Sequence, residues 1–190
     1  VLWTIVVLAV AVVVALARGG KLRNFAELRL RGWWLLLAGF FLQAAADFVP
    51  ESPAWSDDAA FGLVLASYVV LLLVVLLNRT ESGMWLAGIG MAMNFTVIAL
   101  NGGMPVSPEA AALAGNGAEF VATAKHIALD ASTRLAFLAD VIPVEFLRTV
   151  VSLGDVFLAV GLAMFLEDQL LRPPTLFRHR IRGIPGSAAE

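Results

Sequence analysis

The chain has 190 residues, of which 60% are hydrophobic, with a mean hydropathy of +0.86 and a net charge of −2. Soluble domains are about 45–50% apolar, so this excess points to lipid contact, and the near-neutral balance excludes the basic surface that nucleic-acid binding uses. Cysteine is absent, which excludes disulfides, thiolate metal sites and cysteine nucleophiles.

The first apolar run covers residues 2–17. It lacks a basic leader and a small-residue cleavage site, so it reads as a membrane helix rather than a secretory signal. Arg18, Lys21, Arg23, Arg29 and Arg31 follow, with Glu27 the sole acid among them. A second span is predicted over residues 33–49. The next connection holds Glu51, Asp57 and Asp58 and no Lys or Arg. Spans three and four are predicted over residues 61–77 and 84–100, joined by a short turn with Arg79. A fifth is predicted over residues 146–166, followed by a tail, 167–190, carrying Arg172, Arg178, Arg180, His179 and Arg182. At ~1.5 Å per residue each span reaches ~25–30 Å, enough for a hydrocarbon core.

Five spans place the termini on opposite sides. Ten of the thirteen basic residues fall in residues 18–31, at Arg79 and in residues 172–182, all on one side. The positive-inside rule makes that side cytoplasmic, with the N-terminus outside and the C-terminus inside. Trp33, Trp34 and Trp85 then lie at the inner interface, where aromatic side chains favour the headgroup region. The expectation is an all-α integral membrane protein of about five transmembrane helices in one membrane domain.

Asn101-Gly-Gly-Met-Pro-Val106 ends span four abruptly, because glycine permits tight turns and Pro105 restricts both itself and Met104. It opens the outer segment, residues 101–145. Within it, residues 118–139 have helical periodicity. Phe120, Val121, Ala124, Ile127, Ala128, Ala131, Leu135 and Leu138 form an apolar stripe, and Glu119, Thr123, His126, Asp130 and Thr133 lie opposite. This predicts an amphipathic helix on the outer surface. His126 and Asp130, four apart with Glu119 nearby, have the spacing of a metal pair, but one His is not a ligand set. No metal site and no catalytic residue is assigned. A haem or pigment would need an axial ligand, so no cofactor is expected.

Polar groups inside spans face the bundle interior. Gln43, Asn94 and Asp155 lie at similar depth below the outer end, ~9–13 Å in. Asp47 and Arg148 lie nearer the surface as a candidate ion pair, and Asn101 stands at the turn. Asp155 is expected to hydrogen-bond Asn94 or Gln43, or to hold a ligand, ion or proton. Gly88 with Ala92 and Ala159 with Ala163 have the spacing of close helix packing. Two echoes, Gly32-Trp33-Trp34-Leu35 with Gly83-Met84-Trp85-Leu86 and the Pro-x-Ser-Pro steps after spans two and four, suggest parallel repeats.

Five stretches carry a family resemblance: Asn101-Gly-Gly-Met-Pro-Val-Ser107, Lys125-His126, Thr133-Arg-Leu135, Leu138-Ala-Asp-Val-Ile-Pro143 and Val151-Ser-Leu-Gly-Asp-Val156. Over its second half the chain resembles a bacterial multi-span membrane family catalogued as a domain of unknown function. The resemblance implies a multi-span fold in a bacterial inner membrane and no activity. Three functions are open. One is an accessory, non-catalytic subunit of a larger membrane complex, with energy conversion as a candidate setting and other membrane subunits as partners. The second is a small transporter or ligand-binding protein with an outward polar cavity. The third is a surface enzyme using His126 and Asp130.

Overall fold

The computed structural model describes residues 2–28, 30–50, 55–115 and 126–172. The apolar runs form helices α1 (Leu2–Ala17), α2 (Trp33–Ala46), α3 (Ser56–Leu77) and α4 (Met84–Asn101). Two of them, Ser56–Leu77 and Met84–Asn101, are long and apolar enough to cross a membrane; Leu2–Ala17 and Trp33–Ala46 are shorter apolar helices. Gly102, at φ 79°, ends α4 in the left-handed region where a side chain would be strained. Strand β1 (Met104–Val106) follows, then a short helix α5 (Pro108–Leu113) capped by the Ser107 side chain.

The predicted outer helix is not a helix in its described part. Residues His126–Ala128 form strand β2, paired in parallel with β1 in the register Met104↔His126, Pro105↔Ile127 and Val106↔Ala128. A turn follows, in which Asp130 Oδ1 accepts from Ser132 N at 2.8 Å and Asp130 N donates to Thr133 Oγ1 at 3.0 Å. Such side-chain bonds compete with helix formation. Leu135 then adopts φ 55°, and only Ala136–Leu138 makes a single 3₁₀ turn. His126 and Asp130 therefore do not share a helical face, and Glu119 lies outside the described residues.

The fifth long helix lies further along the chain than the expected span 146–166 and takes in the start of the expected tail. Strands β3 (Ile142–Val144) and β4 (Thr149–Val151) pair antiparallel, and helix α6 runs from Leu153 to Leu171. Arg148 joins the strands at φ 47° rather than lying in a helix. Thr149, Val150 and Val151 are β-branched and favour a strand. Ser152 starts α6 through a capping box with Asp155.

The long helices pack in the order α1, α6, α4, α3, α2. The α4–α6 seam is the tightest. A Cβ on Gly154 would run into the Asn94 amide and come within 2.7 Å of the Gly90 carbonyl oxygen, and one on Gly161 would strike α4 at Ala87 and lie 2.7 Å from the Gly83 carbonyl. These glycines, not Gly88 with Ala92, make the close approach; Gly88 faces Val75 of α3. At one end Asn78 bonds both backbone groups of Arg31, Asn24 bonds the Leu170 and Arg172 carbonyls, and Arg172 pairs with Glu81 at 2.6 Å. At the other, β1 sits over an apolar cluster of Ala46, Ala60, Val64, Val97, Ile98, Met104 and Leu138. The outer faces of the helices are apolar. Val13, Phe41 and Trp85 are each more than 60% exposed.

Candidate functional site

A cavity of about 290 Å³ opens beneath the β1–β2 cap. Every long helix contributes to it: Trp3 and Thr4 from α1, Gln43 from α2, Tyr68 from α3, Asn94 from α4 and Asp155 from α6. The cap adds Met104, His126, Asp140 and residues 149–151. The row of helices thus curves until its two ends, α1 and α2, face the same space.

Asn94 organises one wall. Its Nδ2 donates to Asp155 Oδ1 at 2.7 Å, and its Oδ1 accepts from Ser152 Oγ at 2.9 Å. The Ser152 oxygen also accepts from Asp155 N at 2.9 Å, and Asp155 Oδ2 accepts from Ser152 N at 3.1 Å. The carboxylate therefore sits in the first turn of α6, where the helix dipole favours negative charge. Glycine at position 154 makes room for the Asn94 amide.

Asp140 is fixed by its backbone. Its N–H donates to the Pro105 carbonyl at 2.9 Å, and its carbonyl accepts from Ser107 N at 2.9 Å. These bonds place it beside β1, on the side away from β2, bridged to Val106. Its side chain is buried, and among the described residues Oδ1 has no hydrogen-bond partner. Burial, and then the charge of Asp155, pushes the Asp140 carboxyl up to about 8. At neutral pH it holds a proton. The site thus pairs Asp155, each of whose oxygens accepts a hydrogen bond, with an acid that has an unmet oxygen.

Gln43, Asn94, Asp155 and His126 of the expected residues meet at this cavity. Four others do not. Asn101 instead clasps the loop backbone, donating to Arg134 O at 3.0 Å and accepting from Arg134 N at 2.8 Å. Asp47 ends α2 and Arg148 is an exposed turn residue; the ion pairs among the described residues do not include one between them. Asp130 is exposed, and the Ser132 hydrogen bonds hold its carboxyl below the usual carboxylate range. No group of three or more His, Asp or Glu among the described residues is set to hold a metal. Sequence reasoning missed Tyr68, Trp3 and Asp140. Tyr68 is the sole tyrosine in the chain and interrupts an apolar run, which is a readable signal. Trp3 carries none.

A family sequence profile matches residues 27–167. The chain belongs to DUF5317, a family of unknown function. The DUF5317 match extends well beyond the second half of the chain and takes in every cavity residue except Trp3 and Thr4. An uncharacterized protein of Thermotoga maritima is similar, 29% identical over 166 residues, which are 84% of this chain and 89% of that protein. No solved structure matches the chain.

Proposed function

We propose that this DUF5317 protein is a five-span protein of a bacterial inner membrane that binds a small ligand or ion in a cavity open to the outer side. The observation that carries the reading is the cavity of about 290 Å³, into which all five long helices bring a polar or aromatic side chain. Polar groups inside an apolar bundle are costly and mark ligand or ion sites by default. Small-molecule pockets begin at about 300 Å³, the size seen here.

Several features support the membrane setting. Large apolar side chains cover the outside of the helices, whereas soluble monomers rarely expose apolar patches beyond a few hundred Å². Trp33, Trp34 and Trp85 are exposed at the end where Arg31, Arg79 and Arg172 also lie. The cavity is at the opposite end, which the charge bias makes external. A role as accessory subunit rests on the same apolar faces, which lipid covers equally well. The surface-enzyme reading loses its basis once His126 and Asp130 no longer share a helix face.

The absence of cysteine makes the test direct. Thr149→Cys, at the cavity, should react with a membrane-impermeant maleimide in intact cells. Arg79→Cys should react only after permeabilisation. The reverse pattern contradicts the orientation. A buried, unreactive Thr149→Cys in a folded protein contradicts the open cavity.

A further inference from the structure

We propose that the cavity takes a small organic monocation, a protonated amine of a few heavy atoms, held by the carboxyl groups of Asp140 and Asp155. The inference rests on the cavity reading above and adds the chemistry of the occupant.

Charge comes first. Among the described residues two acids line the space and no Lys or Arg does. Asp155 is held by Asn94 and by the start of α6, so its place is set before any ligand arrives. Asp140 faces the same space with Oδ1 buried and without a partner among the described residues. A buried oxygen left so is costly, and a donor from a ligand removes the cost. An ammonium group supplies up to three donors together with the charge that offsets two nearby acids.

Size and wall chemistry then choose among cations. The volume of about 290 Å³ is on the order of ten water volumes. A bare alkali ion fills a small part of that. Divalent metals want several carboxylates or imidazoles, and no such cluster is present among the described residues. Val64, Ile98, Met104 and Val151 give the cavity apolar wall, which suits carbon rather than hydration water. Tyr68 and Trp3 are aromatic neighbours of the kind that attract organic cations. The Trp3 indole N–H also lacks a partner among the described residues, so an amine that carries an oxygen acceptor fits best.

Ligand and proton compete. Among the described residues, Asp155 of α6, Tyr68 of α3 and His126 of β2 are the titratable groups that share the cavity with Asp140. Because Asp140 holds its proton up to about pH 8, an ammonium binds best above that value. Affinity falls as pH drops, by up to about tenfold per unit.

The test is calorimetric titration of the purified full chain in detergent with ethanolamine and with butylamine. Ethylene glycol and sodium chloride serve as comparison solutes. At about pH 8.5 both amines are still largely protonated. Saturable binding of either amine is expected there, at least tenfold weaker at about pH 6.5. Asp140→Asn and Asp155→Asn should each weaken it at least tenfold, with thermal unfolding without ligand showing that each variant is folded. Absence of amine binding to folded protein overturns the inference. So does equal binding by Asp140→Asn, or tighter binding of ethylene glycol or sodium. Those last results leave the cavity reading standing, whereas an unreactive Thr149→Cys removes the cavity itself.

Discussion

Asn94 and Asp155 lie 61 positions apart, on two different helices, and meet through an Nδ2–Oδ1 hydrogen bond of 2.7 Å. The amide of Asn94 works in both directions, because its oxygen accepts from Ser152 in the same turn. One side chain of α4 therefore locks the capping box that begins α6. The pairing sets the depth at which the carboxylate stands and builds one wall of the cavity.

Removing that amide leaves buried partners unmet. Asn94→Ala should lower stability by about 1–3 kcal/mol, the cost of leaving a buried hydrogen-bonding group without its partner. Chemical unfolding of the detergent-solubilised protein measures it. A variant as stable as the wild type would show that the capping box holds without α4.

Helix contact along the seam depends on the lack of a side chain at position 154. Gly154→Ala should destabilise by about 1–3 kcal/mol through overpacking against Asn94 and Gly90. Gly62→Ala is the contrast. A Cβ there meets nothing within 4 Å, so the variant should gain about 0.5–1 kcal/mol from helix propensity. Thermal midpoints of the two proteins, moving in opposite directions, check both statements.

Protonation of Asp140 gives a pH signature. The folded protein binds this proton up to about pH 8, whereas an unfolded aspartate releases it near 3.9. A raised acid contributes stability that is complete below the unfolded value and is lost as pH rises through the folded one. The wild-type unfolding midpoint should therefore fall between about pH 5 and pH 8 more steeply than that of Asp140→Asn. Parallel curves for the two proteins would place the titration elsewhere.

The loop that covers the cavity is tied down by Asn101. Its side chain makes both hydrogen bonds to the Arg134 backbone. Asn101→Ala should free that segment and speed tryptic cleavage after Arg134 severalfold, with the helices intact. Unchanged cleavage would mean that the β1–β2 pairing alone holds the loop.

Apolar runs reveal helices whose cores face one another or lipid, and α1 and α4 were legible from them almost to the residue, whereas α2 ends three residues sooner than expected and α3 begins five residues sooner. The fifth was not, because Phe146 to Val151 is apolar enough to extend a hydropathy window while its β-branched residues pair with β3. The Ser152-x-x-Asp155 pattern before an apolar run is a helix-start signal that hydropathy overrides. The outer segment failed for a related reason. Its helical spacing was real, but the Asp130–Thr133 turn and the pairing of His126–Ala128 with Met104–Val106 are made by side-chain bonds and distant backbone that periodicity does not record. At the site, depth counting brought Gln43, Asn94 and Asp155 together. It could not find Asp140, which enters from the cap rather than from a helix. The Asn101–Val106 turn proved central because β1 holds β2 on one side and Asp140 on the other.

The most direct measurement is a crystal structure of the full chain grown from lipid. The expected result is an open cavity lined by all five long helices, with Asn94 bonded to Asp155 and a bound molecule or ordered water on Asp140 Oδ1. Side chains filling that space, or Asp140 turned out to solvent, would contradict it.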